Sequence, residues 1–306
     1  MWTGHHLISM EQADQDQARA LLLLAHRNDF APHVLEGKSV ANLFFEDSTR
    51  TRVSFSLAAQ RLGAHVVDLT SKGSSLSKGE TLIDTALTIE AMGADALVIR
   101  TQQSKLCCEI ANCVTIPLIN AGDGTHQHPT QALADALTIG RAFSCDRKWD
   151  FSGLRVAIVG DVVSSRVARS NIGLLKALGA RIVLVGPLAM VPDSMAELGC
   201  DVVHDLDTVI DQVEVAMMLR IQFERGSGDG LGSTAAYHRA FGLTQDRANR
   251  MKAEAIVMHP GPMNRGVEIV DAVADGNRSR ILDQVTHGLL VRQATLVKAI
   301  CGREHS

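Results

Sequence analysis

The sequence has 306 residues, of which 46 % are hydrophobic and 21 % are charged, and its formal net charge is −4. This length is sufficient for two domains that each have a hydrophobic core. The slightly acidic balance argues against a nucleic-acid partner, which would favour a basic surface. Because the sequence has no run of about 18 apolar residues, it predicts no membrane-spanning helix.

The cysteines and the first residues of the chain are typical of a protein from a reducing compartment. No two cysteines form a C-x-x-C pair or a paired zinc spacing. The segment 1–6 lacks the basic and then apolar layout of a secretory signal. We therefore expect a cytoplasmic protein with no metal and no cofactor, and with reduced thiols at Cys107, Cys108, Cys113, Cys145, Cys200 and Cys301.

Helical and strand patterns alternate along the first half of the chain, which is typical of α/β architecture. Residues 9–12 have the spacing of a capping box and predict a helix that runs towards His26. Helices are also predicted around Phe55, ending at Gly63, and around Leu87 and Ile110. Short apolar runs predict strands at 39–45, 65–69, 96–100 and 114–120.

A second series of strands and helices follows. It predicts strands at 154–160, 181–187, 201–204, 215–220 and 255–259. Predicted helices lie at 129–143, 167–178 and 288–300. We expect two doubly wound parallel-sheet domains joined by interdomain helices. The polar segment 144–149 predicts a boundary between domains 1–145 and 146–285, with a C-terminal helix in 286–306 packing back on the first.

Ligands of open α/β sheets bind beyond the carboxyl ends of the strands, and the densest polar segment in that position is 46–52. It follows the first long strand and precedes a helix, whose free N–H groups and dipole attract anions. Hydroxyls and a guanidinium for a phosphate come from Ser48, Thr49, Arg50 and Thr51. Simple helix capping with exposed arginines is the alternative, but the three hydroxyls and two guanidiniums of the run 48–52 make it less favourable. The Walker pattern is absent.

Two further strand ends add candidates to the same site. Arg100 ends the strand 96–100 and is a second candidate for a phosphate. His128 lies where the loop after strand 114–120 enters a helix, and an imidazole there can stabilise negative charge on a carbonyl oxygen. Gln131 lies about one turn further along and faces the same way. Each of them taken alone is more often a structural or surface residue.

The second series has its own strand-end residues. The segment 160–166 lacks G-x-G-x-x-G, which argues against a dinucleotide site and leaves Arg166 as a cation. Arg220 and Gln222 lie on one side of an extended segment and suit a dicarboxylate. The turn at 259–262 is stiff and can fix carbonyl directions. The loop 72–79 reads as a surface loop on composition alone.

Several motifs together resemble the aspartate/ornithine carbamoyltransferase family over nearly the whole length. They are S-T-R-T-R at 48–52, S-L-S-K-G at 75–79, H-P-T-Q at 128–131, R-I-Q at 220–222 and H-P-G-P-M-N-R-G-V-E-I at 259–269. The last two resemble the aspartate branch, whereas the ornithine branch has H-C-L-P at the 259 turn. The resemblance implies transfer of a carbamoyl group from carbamoyl phosphate to L-aspartate, a step of pyrimidine biosynthesis.

The resemblance also implies roles for individual residues. The catalytic set would be Arg50, Thr51, Lys78 and His128. Carbamoyl phosphate would be bound by Ser48, Thr49, Arg50, Thr51, Ser75, Arg100, His128, Gln131, Pro260 and Gly261. L-Aspartate would be bound by Lys78, Arg166, Arg220 and Gln222. In this family the site lies between subunits of a homotrimer, so Ser75 and Lys78 would come from a neighbouring subunit.

Alternatives remain at this point. One is a carbamoyltransferase that acts on ornithine or a related amine, and another is an inactive anion-binding or scaffold subunit. A nicotinamide enzyme would need a cofactor site at 160–166. Thr101, where relatives often have His, and the glycine-rich segment 226–232 depart from the family pattern. The sequence does not determine how these departures change the affinity for aspartate. It also does not determine whether regulatory or dihydroorotase subunits bind, whether the protein shows cooperativity or nucleotide control, or how trimers assemble further.

Overall fold

The computed structural model of the chain describes residues 1–70, 80–221 and 233–302. Their contacts divide the chain into two compact units. Unit 1 consists of Met1–Leu137 and Thr286–Ser306, and unit 2 consists of Thr138–Val285. Two helices, α5 (Pro129–Ala142) and α10 (Ile281–Cys301), contribute residues to both units. The polar segment 144–149 is grouped with unit 2.

Unit 1 contains a six-stranded sheet in the order β1-β2-β6-β5-β3-β4. All neighbouring strands are parallel except the β1–β2 pair. From β3 the chain adds β4 on one side and β5 and β6 on the other, which is the doubly wound arrangement. The strands are β1 (Trp2–Thr3), β2 (His6–Leu7), β3 (Ser39–Phe44), β4 (His65–Thr70), β5 (Ala96–Thr101) and β6 (Leu118–Asp123).

The helices of unit 1 cover a fully buried sheet centre. Every residue of β5 and β6 is buried, because a parallel sheet with helices on both faces leaves its central strands no contact with water. A cluster of apolar side chains from the strands packs against two of the helices, for example Leu43, Leu97 and Ile110. The helices before α5 are α1 (Gln15–Arg27), α2 (Thr49–Arg61), α3 (Leu82–Ala91) and α4 (Leu106–Ala111).

The predicted capping box at 9–12 is wrong. Helix α1 begins at Gln15, and its N-cap is Asp14, whose side chain accepts a hydrogen bond from the Gln17 amide at 2.8 Å. Ser9 instead accepts from the Glu11 amide, two residues away, in a local turn. A local Ser turn competes with a cap because the same hydroxyl can satisfy either backbone group.

The strand predicted at 114–120 lies further along the chain, at Leu118–Asp123. The amides of Thr115 and Ile116 donate to the carboxylate of Glu90 on α3, at 2.8 and 3.1 Å, so they are unavailable to the sheet. This contact is distant in sequence, and the apolar pattern of the segment therefore could not indicate it. The two-residue strands β1 and β2 were also missed, since they are too short to have a period.

Unit 2 contains a five-stranded, fully parallel sheet in the order β11-β10-β7-β8-β9. It repeats the doubly wound arrangement, with the order reversing between β7 and β10. The strands are β7 (Arg155–Val159), β8 (Arg181–Val185), β9 (Asp201–Val203), β10 (Val215–Met218) and β11 (Ile256–Met258). The predicted α/β class with two parallel-sheet units is confirmed.

The helices of unit 2 include three that were not predicted. These are α7 (Thr234–Phe241), α8 (Gln245–Arg250) and α9 (Asp271–Ala274), and the predicted helix is α6 (Arg166–Ala177). Short 3-10 turns lie at Asp193–Leu198 and Leu206–Thr208. Among the described residues, no helix is long and apolar enough to cross a membrane.

Candidate active site

The carboxyl ends of β3 and β5 lie side by side at the point where the strand order of unit 1 reverses. Phe44 at the end of β3 pairs with Arg100 near the end of β5. The Phe45 amide donates to the Arg100 carbonyl oxygen at 2.9 Å, which extends the pairing by one residue. The loop 46–48 and the Arg100 side chain therefore leave the sheet from adjacent strands, in the crevice where open α/β sheets bind ligands.

The loop leads directly into the first turn of α2. Ser48 is the N-cap, and its hydroxyl makes no capping hydrogen bond within this described helix. The amides of the first turn therefore point beyond the helix end, where the helix dipole favours an anion. Thr51 is buried in this turn, whereas Thr49 and Arg50 are exposed. The predicted phosphate residues thus combine backbone donors with an accessible guanidinium.

Arg100 is buried and is held by two contacts. Its Nη1 donates to the carbonyl oxygen of Ala121 on β6 at 3.1 Å, and its Nη2 lies 3.4 Å from Oε1 of Glu46. The carbonyl contact fixes the direction of the guanidinium, and Glu46 balances its charge. A bound phosphate would compete with Glu46 for Nη2. The sequence analysis included position 46 only as the start of the polar segment 46–52 and did not predict this contact.

The loop that leads to His128 is built around the buried carboxylate of Asp123. It accepts from the Asn120 side chain at 2.8 Å and from the Gln127 and Lys105 amides at 3.0 and 2.9 Å. His126 contacts the same carboxylate at 2.9 Å, and this hydrogen bond raises the pKa of His126. The loop geometry is therefore fixed on the amino-terminal side of His128, which is buried at the start of α5.

Gln131 and a residue that was not predicted form a pair on α5. The side-chain nitrogen Nε2 of Gln131 donates to Oδ1 of Asp135 at 2.8 Å. Asp135 is fully buried. The spacing of four residues on a helix could have indicated this pair, since such residues face each other on the helix surface.

A second unpredicted residue, Arg292 on α10, interacts electrostatically with Asp135 of this pair. Its Nη1 donates to the Ser54 hydroxyl at 2.9 Å, and its guanidinium stacks 5.2 Å from the centre of the Phe55 ring. Burial and the charge of Arg50 lower the pKa of Arg292 to about 10, and Asp135 opposes this shift. The first turn of α2, α5 and α10 therefore share one electrostatic environment. No local pattern could have identified Arg292.

The corresponding edge of unit 2 lies where β7 and β10 end. A Cβ at Gly160 would lie 3.1 Å from Cβ of Leu219, so glycine allows β10 to approach closely there. The Ser165 hydroxyl accepts from the Ala168 amide at 3.1 Å and caps α6, whose first residue is Arg166. The glycine at 160 thus serves strand packing, and Arg166 lies at a helix start beside the strand end.

Arg220 follows β10, and a buried carboxylate holds the next peptide unit. Oε1 of Glu268 accepts from the Ile221 amide at 2.7 Å, and Oε2 accepts from the Asn264 amide at 2.7 Å. The Asn264 side chain donates to the Ile221 carbonyl oxygen at 3.0 Å and to Oε1 of Glu268 at 2.8 Å. Burial raises the pKa of Glu268 although these hydrogen bonds oppose the shift. We call this arrangement the Glu268–Asn264 clamp; sequence reasoning did not identify it.

The turn after β11 has a defined backbone. The peptide between Gly261 and Pro262 is cis, and Gly261 has a φ of +63°. The Gly261 amide donates to Nδ1 of His259 at 2.8 Å, and the His259 amide donates to the Gln284 side chain at 2.9 Å. These contacts fix the directions of the backbone carbonyls around Pro260 and Gly261.

The structure therefore places the predicted residues in two sets. The unit 1 set comprises Ser48, Thr49, Arg50, Thr51, Arg100, His128 and Gln131. The unit 2 set comprises Arg166, Arg220, Pro260 and Gly261. Ser75, Lys78 and Gln222 lie outside the described residues. Within the ranges 1–70, 80–221 and 233–302, no group of three or more His, Cys, Asp or Glu residues could hold a metal ion.

Comparison with known families gives the class of this protein. The family model described as the aspartate/ornithine carbamoyltransferase carbamoyl-P binding domain matches residues 5–141. The model for the Asp/Orn binding domain of the same family matches residues 152–299. The chain belongs to the aspartate/ornithine carbamoyltransferase family.

Individual relatives point to one branch of that family. The aspartate carbamoyltransferase catalytic subunit of Myxococcus xanthus is 50 % identical over 296 residues, covering 95 % of this chain and 98 % of its own length. Aspartate transcarbamoylase from Trypanosoma cruzi, solved with N-(phosphonacetyl)-L-aspartic acid, has a TM-score of 0.85 at 32 % identity, covering 96 % of this chain and 95 % of its own.

The fold alone does not separate the branches. Ornithine carbamoyltransferase from Pyrococcus furiosus has a TM-score of 0.83 at 28 % identity, and 98 % of each chain is covered. The choice between the two amino acids therefore depends on sequence identity and on the residues of the site.

Proposed function

We propose that this protein transfers the carbamoyl group of carbamoyl phosphate to L-aspartate and releases N-carbamoyl-L-aspartate and phosphate. The observation that carries the proposal is the junction of β3 and β5, where Arg100 and the first turn of α2 meet at the strand-order reversal. Identity of 50 % to a protein named as a catalytic subunit supports the aspartate branch.

In the proposed site, carbamoyl phosphate is held by unit 1. Ser48, Thr49, Arg50, Thr51 and Arg100 bind the phosphate, with Ser75 from a neighbouring subunit. Arg50, Thr51 and His128 polarise the carbonyl and stabilise the oxyanion, since donors directed at a developing charge lower the barrier most. Gln131 binds the carbamoyl nitrogen, together with backbone carbonyls of the turn at Pro260 and Gly261.

L-Aspartate is bound by the unit 2 set. Arg166 and Arg220, with Gln222, suit two carboxylates, because guanidinium groups bind planar anions with paired hydrogen bonds. Lys78 contacts both substrates. A cationic side chain such as that of ornithine would face Arg220, so like charges disfavour the ornithine alternative.

The reaction proceeds by direct attack of the neutral aspartate amine on the carbamoyl carbon. The tetrahedral intermediate loses phosphate, and the departing phosphate takes the amine proton, so the reaction requires no strong protein base. Positioning of the two anionic substrates next to each other adds to this charge stabilisation. No nicotinamide enters the reaction, and the packing of Gly160 against Leu219 accounts for that glycine.

The proposal extends to domains, assembly and location. The domain 1–145 with the helix in 286–306 binds carbamoyl phosphate, and 146–285 binds aspartate. Three chains form a homotrimer in the cytoplasm, with each site shared between neighbours. In support, β4 is the outermost strand of its sheet, and apolar side chains are exposed on it and on the adjacent α2, at Val67, Val53 and Leu57.

The deciding experiment supplies carbamoyl phosphate with either L-aspartate or L-ornithine and measures the ureido product. We expect product with aspartate and only background with ornithine. Activity with ornithine alone would reject the aspartate assignment, and no turnover with either amine would favour an inactive binding subunit. Titration with a nicotinamide dinucleotide should show no binding.

A further inference from the structure

Asp135 is a buried acid that the proposed reaction does not use directly. It is fully buried on α5 and accepts the hydrogen bond from Nε2 of Gln131 at 2.8 Å. A carboxylate without a proton can only accept hydrogen bonds. The NH2 group of the Gln131 amide must therefore point to Asp135. The carbonyl oxygen Oε1, on the other side of the amide, then points away from Asp135.

A nearby cation, Arg292, interacts electrostatically with Asp135. Arg292 is buried beside α5 and α2, and the charge of Asp135 raises the pKa of Arg292 against the effects of burial and Arg50. The interaction is mutual, so the Arg292 cation also attracts the side chain of Asp135. The position of Arg292 is fixed by Ser54 and by the Phe55 ring. The contacts of Asp135 and Arg292 thus determine which end of the Gln131 amide is available to a substrate.

We propose that Asp135, supported by Arg292, is a positioning residue that presents Oε1 of Gln131 to the substrate NH2 group and so selects carbamoyl phosphate over acyl phosphates that lack an amine. This inference rests on the proposed function, in which Gln131 binds the carbamoyl nitrogen. If the amide were reversed, its NH2 group would face the NH2 group of the substrate and no hydrogen bond would form.

Acetyl phosphate is the probe, because it replaces the carbamoyl NH2 with a methyl group of similar size. In the probe reaction the aspartate nitrogen bonds to the acetyl carbon, the carbon–oxygen bond to phosphate breaks, and phosphate leaves with the amine proton. The product is N-acetylaspartate. A methyl group leaves Oε1 unpaired, and sites built for a polar group reject analogues that lack it.

The experiment measures kcat/KM for both phosphates with the full-length protein and with Asp135→Asn. Asparagine keeps the shape of the side chain but can donate as well as accept, so both orientations of Gln131 become available. We expect the carbamoyl-to-acetyl ratio of kcat/KM to fall at least about twofold, because the reversed orientation, which makes no hydrogen bond to the carbamoyl NH2 group, takes half or more of the population. Carbamoyl transfer should fall while acetyl transfer stays nearly constant.

The matched control is Asp95→Asn. Asp95, like Asp135, is a hydrogen-bond acceptor with a nearby cation, but its donor is the backbone amide of Ser39, at 2.8 Å, and its cation is Lys38, at 3.5 Å. It belongs to unit 1 but lies just before β5, at the amino-terminal end of this strand, whereas the candidate site lies at the carboxyl end. The control should leave the ratio unchanged. A ratio that falls equally in Asp95→Asn and Asp135→Asn would indicate general loosening and overturn the proposal.

A double-mutant cycle with Gln131→Met separates positioning from a structural role. Methionine removes the strong acceptor, so the ratio should fall in Gln131→Met alone, and Asp135→Asn should add nothing further in that background. An additive effect would overturn the proposal. Arg292→Met tests the same link from α10 and should lower the ratio in the same direction.

The outcomes distinguish this inference from the proposed function. A wild-type protein without carbamoyl transfer to aspartate contradicts the proposed function. Carbamoyl transfer with an unchanged ratio in Asp135→Asn contradicts the positioning role alone. If Asp135→Asn and Arg292→Met do not fold, Gln131→Met decides: Gln131 is only partly buried, in the first turn of α5, and an unchanged ratio there overturns the inference.

Discussion

The two strand-order reversals of this protein use the same topology in different ways. In unit 1, the predicted ligand residues are themselves held: Arg100 by the Ala121 carbonyl and Glu46, and Gln131 by Asp135. In unit 2, the Glu268–Asn264 clamp instead holds the peptide next to Arg220. The described contacts thus fix charged and polar side chains at one edge and a stretch of backbone at the other.

This difference predicts which property, kcat or aspartate binding and stability, a substitution at each edge should change. Removing a directly held cation at the unit 1 edge changes the charge that meets the substrate, so it should affect kcat. Removing the buried acid of unit 2 changes the path of the backbone, so it should affect aspartate binding and stability together. The predictions below test this distinction in order of decreasing expected effect.

Arg50→Ala should have the largest effect. Arg50 is exposed at the first turn of α2, so its loss leaves the core intact. Loss of one strong donor to a developing oxyanion lowers kcat by about 10²–10³. Steady-state kinetics with saturating substrates and a thermal melt would check both statements. Unchanged kcat would contradict the phosphate assignment of the unit 1 edge.

Mixing two inactive variants tests whether each active site is shared between neighbouring subunits. Arg50→Ala and Lys78→Ala chains should each be nearly inactive, and mixing them after reversible dissociation should restore activity. In the proposed homotrimer, a mixed assembly would contain one site in which both residues are intact. Subunit exchange is followed with two differently tagged chains. Complete exchange without recovered activity would contradict a site built from two subunits.

Glu268→Gln should affect unit 2. The amide group of the glutamine would face at least one backbone N–H that now donates to the carboxylate, which leaves a buried donor unsatisfied and costs about 1–3 kcal/mol. We expect KM for aspartate to rise roughly tenfold while KM for carbamoyl phosphate changes little. Glu214→Gln is the control, since Glu214 accepts the Arg155 amide at 2.7 Å, next to the amino ends of β7 and β10. Equal effects of both changes would contradict the clamp.

Glu268 also predicts a pH dependence of stability. Its pKa is raised in the folded protein, mainly by burial. Between the ordinary and the raised pKa the folded state binds more protons than the unfolded state, so the stability that Glu268 contributes falls as pH rises through this window. Denaturant unfolding should show the wild-type advantage over Glu268→Gln shrinking with rising pH. An advantage that grows would contradict the shift.

Gly140→Ala should have a smaller effect, confined to stability. Alanine normally stabilises a helix relative to glycine by about 1 kcal/mol. At position 140 on α5, however, a Cβ would lie 2.8 Å from Cε3 of the buried Trp149 ring. We expect a net loss of about 1–3 kcal/mol, measured by denaturant unfolding, with kcat little changed. A gain in stability would show that Trp149 can shift at no cost.

Much of the site could be predicted because its residues follow apolar strands in fixed order. The segment 48–52 follows β3 after a short loop and Arg100 lies near the end of β5. The rule for open α/β sheets brings such strand ends together. Glu46, Asp135, Arg292 and Glu268 were missed for a common reason. Each acts through a partner on another turn or element, and burial of a charged residue cannot be read from a sequence pattern.

The sequence by itself determined the α/β class, the two series of strands and the motifs that place the protein in its family. These features depend on local periodicity and on residue types at strand ends, which persist whatever the distant contacts are. Tertiary structure alone decided that Glu90 displaces the start of β6 and that Arg292 interacts with Asp135. Those contacts join residues far apart in the chain, and their energies exist only when folding removes the groups from water.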